Sequence, residues 1–323
     1  MRHITIRANL AIFSLIRIEI INFVGVISET SMSKKLTIVP HSGLANRMRA
    51  IAGAYVMAAR SKRELEILWP VTRDCRAQLE VLFDMKPLHV QWSNTSPRQF
   101  RLHYQTPALC NGYISSIPRT WRKLVKGCVY INPEDLPGAS EGHEQFENIE
   151  LDIFRQAMSP AIRHLVITSA QEIGYAPPEI IRSIFRPSAL VREMVDGKEG
   201  LMNPACHRIG VHVRRTDNKE AIRRSPLKDI VAVVKSEIQR ASSPSMLYLA
   251  TDDEKVKKMF RHEFANVVTS SQPATRKTVS GMLEAAAEMW MLSRCHVIIG
   301  SAASSYNVMA SRIGDTPLIT VER

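Results

Sequence analysis

The last third of the chain constrains its fold most. Short apolar runs at Ile209–Val213, Met246–Leu249, Asn266–Thr269, Val297–Ile299 and Leu318–Val321 alternate with helical segments over 227–240, 254–262, 278–292 and 304–312. Strict alternation of short strands and helices predicts a doubly wound parallel sheet, because parallel neighbours need a crossover and the crossover helices cover the faces. The pattern also opens the chain: a strand at Leu36–Val39, a turn containing Gly43, a helix over Ala45–Arg60 and a strand at Leu65–Leu68. In that helix Met48, Ile51, Ala52, Tyr55, Val56 and Ala59 follow three-and-four spacing and form one apolar face. Leu165–Ile167 reads as a further strand and Pro177-Pro178 as a break, whereas 70–160 gives no clean period. The fold class is therefore α/β with two Rossmann-like domains, 32–186 and 187–323. The boundary falls near Arg186–Pro187, and the basic stretch up to Arg208 serves as a crossover.

At 323 residues and 45% hydrophobic content the chain can bury two sizeable cores. Its formal charge of +12 favours an anionic partner: nucleic acid, an acidic membrane surface or a nucleotide diphosphate. Dispersed basic residues, 6% aromatics and the lack of an RRM, KH or helix-turn-helix signature argue against nucleic acid. The five cysteines, Cys75, Cys110, Cys128, Cys206 and Cys295, form no C-x-x-C pair. That pattern speaks against a zinc module or disulfide framework and for a reducing, cytoplasmic setting, with peripheral contact to the inner membrane as an option. Residues 1–31 read as an extension upstream of a domain start at Met32. The other reading, a signal anchor over Ala8–Ile27, must carry Arg17 and Glu19 near its centre, each costing about 2.5–3.5 kcal/mol on insertion.

Ligands of such sheets bind at the carboxyl ends of the strands, which singles out five clusters. His212-Val213-Arg214-Arg215-Thr216-Asp217 ends the strand at 209–213. Adjacent side chains on a strand alternate, so one arginine reaches the crevice and the other braces it. A guanidinium fork suits a diphosphate, and Asp217 can accept from Arg215 or fix the turn. Thr251-Asp252-Asp253-Glu254 has the Thr-to-Glu spacing of a capping box and lies where ribose or base contacts fall, two readings that hold together. No D-x-D triplet accompanies it, so no metal is expected. Glu284 and Glu288 share one face of the helix at 278–292. They are either solvated surface or, in a nucleotide crevice, acceptors for the N–H donors of guanine. Gly300-Ser301-Ala302-Ala303-Ser304-Ser305-Tyr306 joins a strand to a helix whose N–H groups suit phosphate, and Ser304 or Ser305 equally suits an N-cap. Finally, Gly43 permits the first turn, with Asn46 and Arg47 at a helix start facing the interdomain cleft. Neither a G-x-G-x-x-G nor a P-loop fingerprint is present.

Taken together, IGVHVRRTD at 209–217, LYLATDD at 247–253 and MLSRCHVIIGSAASSYNVMA at 291–310 resemble, in order, the donor-site motifs of the α1,6-fucosyltransferases. That superfamily includes rhizobial chitooligosaccharide fucosyltransferases and, more distantly, protein O-fucosyltransferases. The resemblance covers roughly 208–312, and the turn at 43–47 resembles the opening loop of related N-terminal domains. It implies a GT-B-like architecture, GDP-fucose as donor, a glycan acceptor, inversion at the anomeric carbon, and neither metal nor other cofactor. By the same resemblance Arg214 binds the β-phosphate with support from Arg215 and Asp217, and His212 lies beside guanine. Asp252 and Asp253 contact the nucleoside or order its loop. Glu288 stands where the family usually has an aspartate that reads guanine. Ser304 or Ser305 bonds to the diphosphate, and Gly43, Asn46 and Arg47 approach the donor sugar or acceptor. The glutamate that the vertebrate enzymes carry after the arginine motif maps onto Ile222, with Glu220 displaced from it, so the base is left unassigned. A binding protein for nucleotide sugars, or a transferase with another donor, remains the alternative.

Overall fold

The computed structural model describes residues 34–86, 88, 90–96, 128–136, 139, 143–215 and 219–323. The extension at 1–31 and Asp217 lie outside the described residues. Two five-stranded sheets organise the chain, and every strand pair in both is parallel. The first sheet contains β1 (Lys35–Pro40), β2 (Glu64–Pro70), β3 (Gln91–Thr95), β4 (Cys128–Ile131) and β5 (His164–Ser169), in the order β3-β2-β1-β5-β4. The second contains β6 (His207–Val213), β7 (Ser245–Thr251), β8 (Val267–Thr269), β9 (Val297–Ser301) and β10 (Leu318–Val321), in the order β10-β9-β6-β7-β8. In each, the first strand is central and the chain builds outward on one side before crossing to the other, as in a Rossmann-like domain.

Helix α1 (Leu44–Arg60) is alanine-rich, a composition that favours a helix and lets it lie close on the sheet. It ends where Ser61 Oγ donates to the Met57 carbonyl and Lys62 turns to a φ of 51°. The short α2 (Leu79–Leu82) follows, then α3 (His143–Met158), α4 (Pro178–Ile184) and α5 (Ala189–Glu199). The proline pair opens a helix, and the basic stretch after it contains another. The Pro177-Pro178 break is a helix start, because Pro178 occupies the first turn, where a missing N–H costs nothing. The stretch read as a basic crossover contains α5, capped by Ser188, whose hydroxyl accepts from the Val191 N–H. The boundary region is tied down: Phe83 bridges Pro187, and Ser188 Oγ donates to the Val81 carbonyl.

The second domain continues with α6 (Lys219–Arg224), α7 (Leu227–Arg240), α8 (Glu254–Glu263), α9 (Val279–Ser293) and α10 (Ser305–Gly314). Strand alternation sorts its core. Leu247 and Leu249 face Ile230 and Val234 of α7 and Val256 and Phe260 of α8. Tyr248 and Ala250 face the opposite way, into a cluster that also holds Met282, Ala286 and Trp290 of α9 and Met48, Ile51 and Ile67 of the first domain. One apolar body thus joins the two sheets, and each fully buried aliphatic side chain in it contributes roughly 1.5–3 kcal/mol. Across the seam Glu172 receives Arg312 through two bonds of 2.6 and 2.8 Å. Among the described residues no helix is long and apolar enough to cross a membrane.

Candidate active site

Strand register assembles the site. His212 lies opposite Ala250 of β7 and Gly300 of β9, so the residues that follow all three strands emerge together. This is the point where strand order reverses, the usual ligand position in an open parallel sheet. It opens on a cleft of about 1380 Å³ lined from the first domain by Gly43, Asn46, Arg49 and Tyr175, and from the second by His212, Arg214, Asp252, Glu288, Ser304 and Ser305. Arg276, Lys219 and Arg312 add positive charge around it.

The two arginines after β6 diverge as strand geometry requires. Arg214 turns into the cleft, its Nε 3.4 Å from Asp252 Oδ2, while its backbone N–H donates to Ser301 Oγ. Arg215 turns away: its guanidinium donates to the carbonyls of Ile222 and Ser225, bracing α6, and its N–H donates to Asp252 Oδ1. Asp252 therefore fixes both arginines. Asp253 has a different task. Its carboxylate accepts from the Lys255 N–H and caps α8, because Thr251 is still part of β7, with its hydroxyl donated to the Val213 carbonyl. The Thr251–Glu254 capping box accordingly does not form, and Glu254 pairs with Lys257 instead.

His212 is buried and stacked on Tyr306, ring centroids 4.8 Å apart. Burial, reinforced by the nearby Arg214 charge, pushes it down to about 3, so it is neutral at physiological pH. The α9 glutamates are not solvated surface, since Glu284 is 2% and Glu288 3% exposed, and of the two Glu288 lines the cleft. Burial and the Glu284 carboxylate raise Glu288 to about 8. Ser304 is the N-cap residue of α10, yet its side chain makes no capping bond; Ser305 opens the helix. Both flank Ala303, held at a φ of 51°. Gly300 is required by close approach, since a Cβ there would lie 1.9 Å from Asn307 Nδ2, the group that donates to the Ser301 carbonyl.

On the facing domain the first turn is strained in the same way, with Ser42 at a φ of 68°. Asn46 lines the cleft, its amide donating to Ser42 Oγ. Arg47 does not enter it. The side chain is fully buried beneath the Trp69 ring, and its guanidinium donates to Ser42 O, Pro70 O and Thr72 Oγ1. A residue one position on from Asn46 faces about 100° away on the helix, which turns Arg47 into the sheet. Glu220 is exposed, pairs with Arg223 and Arg224, and is not among the cleft residues. Among the described residues no group of three or more His, Cys, Asp or Glu side chains is placed to hold a metal ion. The sequence alone assigns no role to Tyr306, Arg276, Lys198 or the Glu172–Arg312 pair. Only Tyr306, beside the serine pair, carried a local signal.

No protein-family model matches the chain, and no curated protein matches it. Solved structures do. NodZ α-1,6-fucosyltransferase soaked with GDP-fucose superposes with a TM-score of 0.60 at 18% identity, over 89% of this chain and 94% of that one. A mutant of Arabidopsis thaliana FUT1 in complex with GDP gives 0.54 at 16% identity, over 92% and 72%. POFUT1 in complex with GDP-fucose gives 0.51 at 11%, over 91% and 99%. Two parallel five-stranded sheets in this likeness give the chain the GT-B-like fold that these proteins share.

Proposed function

We propose that the chain is a glycosyltransferase that takes GDP-fucose in the interdomain cleft and passes the sugar, with inversion and without a metal, to a glycan hydroxyl. The observation that carries this reading is Arg214 at the carboxyl end of β6, turned into the cleft and held by Asp252. As the nucleotide departs, negative charge gathers on the β-phosphate while the sugar becomes oxocarbenium-like. A fixed guanidinium aimed at that oxygen acts where charge develops, an effect of about 3–4 kcal/mol. The first turn of α10 supports it: its N–H groups and the uncommitted Ser304 hydroxyl face the same cleft, and a helix N-terminus favours an anion. The neutral His212–Tyr306 stack and Glu288 form the base end, suited to the N–H donors of guanine. Gly43 and Asn46 close the sugar end from the other domain, and Tyr175 lines the cleft from that side.

The solved structures that resemble this chain hold GDP-fucose or GDP, which supports a guanine nucleotide as the ligand of the cleft. The test is turnover with GDP-fucose, GDP-mannose and a panel of oligosaccharides in EDTA, read as GDP release and as a glycosylated product. The expected result is fucosyl transfer with EDTA present. Transfer abolished by EDTA and restored by manganese would contradict the metal-free mechanism, and use of GDP-mannose alone would replace the donor sugar.

A further inference from the structure

Glu284 and Glu288 lie one turn apart on α9, both buried, but their partners differ. Lys198 of α5 crosses to Glu284 and places Nζ 2.7 Å from its Oε1. Glu288 lines the cleft; neither its Oε1 nor that of Glu284 receives a hydrogen bond of good geometry, so the Lys198 ammonium in contact with Glu284 is what separates the two. The groups facing Glu288 come from four elements besides α5 and α9. Tyr248 of β7 also leaves its hydroxyl without a partner, and Asp252 follows on the same strand. Tyr306 of α10 donates its hydroxyl to the Ala285 carbonyl. His212 of β6 is neutral and Arg214 follows it. Lys257 of α8 is tied to Glu254 and to the Ser270 carbonyl. Glu80, on the neighbouring α2, is exposed and bound to Asn94.

Two ammonium groups lie near this buried pair, but Lys257 is tied to Glu254 and the Ser270 carbonyl and Lys198 to Glu284, so neither is bonded to Glu288. Like charges at such a spacing do not both ionise readily, so the second carboxyl keeps its proton. This agrees with the upward displacement of Glu288 to about 8. A protonated carboxyl sets its own O–H against one of the two N–H donors on the guanine edge, whereas a carboxylate accepts from both. Hydrogen bonds to the charged form favour it, so a bound guanine displaces the proton.

We propose that Lys198 and Glu284 are positioning residues for Glu288, and that the base of a guanine nucleotide sugar enters this pocket as one proton leaves it for solvent. The inference rests on the nucleotide-site reading above. Affinity then depends on the ionised fraction of the free site: it rises with pH below about 8 and is flat above.

The experiment titrates the full chain calorimetrically with GDP-fucose, whose diphosphate is a diester that does not titrate near neutrality, in two buffers of different ionisation enthalpy. Between about pH 6.5 and about pH 7.5 the affinity should rise roughly tenfold, with heats that differ between buffers by one released proton. Glu284→Gln removes the neighbouring charge and should move the profile to lower pH; Glu288→Gln should bind weakly with a flat profile. Binding that is tight, independent of pH and free of proton exchange overturns the inference and leaves the donor site standing. A Glu284→Gln profile superimposable on the wild type overturns the positioning role. Failure to bind GDP-fucose at any pH overturns both the inference and the site on which it rests. The wild-type profile needs no variant to fold.

Discussion

Arg214 and Arg47 show how differently one residue type is used within a single chain. Arg214 stands at a strand end and is one-fifth exposed, so its charge is available to a ligand. Its replacement by alanine should lower turnover about 10²–10³-fold while the thermal transition stays in place, as expected where the lost group acts on developing charge. Arg47 is a structural cation: burial lowers its pKa, and three backbone or hydroxyl oxygens consume its donors. Arg47→Met should lower stability by about 3 kcal/mol in chemical denaturation, because it strands those acceptors, without a matching change in GDP binding. From sequence the two were indistinguishable in kind. The alternation of strand side chains separates Arg214 from Arg215, but nothing local places Pro70 and Thr72 over Arg47, since those partners lie 23 and 25 residues away. Glu288 is the same case: its spacing from Glu284 was visible, while the burial that makes it chemical comes from elements elsewhere in the chain.

Among the elements, the strand-to-helix turns at 41–44 and 300–305 shape the cleft of the proposed site. Each holds a non-glycine residue in the left-handed region, Ser42 and Ala303, at the mouth of the cleft. Gly300→Ala tests the second turn. The added Cβ must displace Asn307, whose amide ties α10 to the Ser301 carbonyl, so we expect a loss of about 1–3 kcal/mol in stability together with weaker nucleotide binding. Ala303→Gly relieves the backbone there and should be tolerated. Strands with a buried apolar repeat, β1, β2, β6, β7 and β9, were legible because their periodicity is set by the core. By contrast β3, with the sequence QWSNT, lies at a sheet edge half in solvent, and its pattern gives no such signal. Helix α5 was missed for a related reason: Gly197 lies within it and Gly200 ends it, and its apolar face is narrow, with only Val191 and Val195 buried.

The whole molecule behaves as one body in this account. The largest apolar cluster runs from the first sheet through α9 to Tyr248, Ala250 and Ile298 of the second, and Glu172 and Arg312 pair across the seam. Calorimetry should therefore show a single transition whose calorimetric and van't Hoff enthalpies agree, where two loosely joined domains would give two. The shared core also sets the Arg214 end of the second sheet against the Gly43–Asn46 turn of the first, as the proposed two-sided donor cleft requires. The central claim is that this cleft holds a guanine nucleotide by its diphosphate through Arg214. Its most direct test is calorimetric titration of wild-type and Arg214→Ala protein with GDP and UDP, in EDTA and at about pH 8, where Glu288 is substantially ionised. Tight GDP binding by the wild type, weak UDP binding, and loss of most GDP affinity in the variant are expected. Equal affinity of the two proteins for GDP, or no preference for GDP over UDP, would contradict the claim.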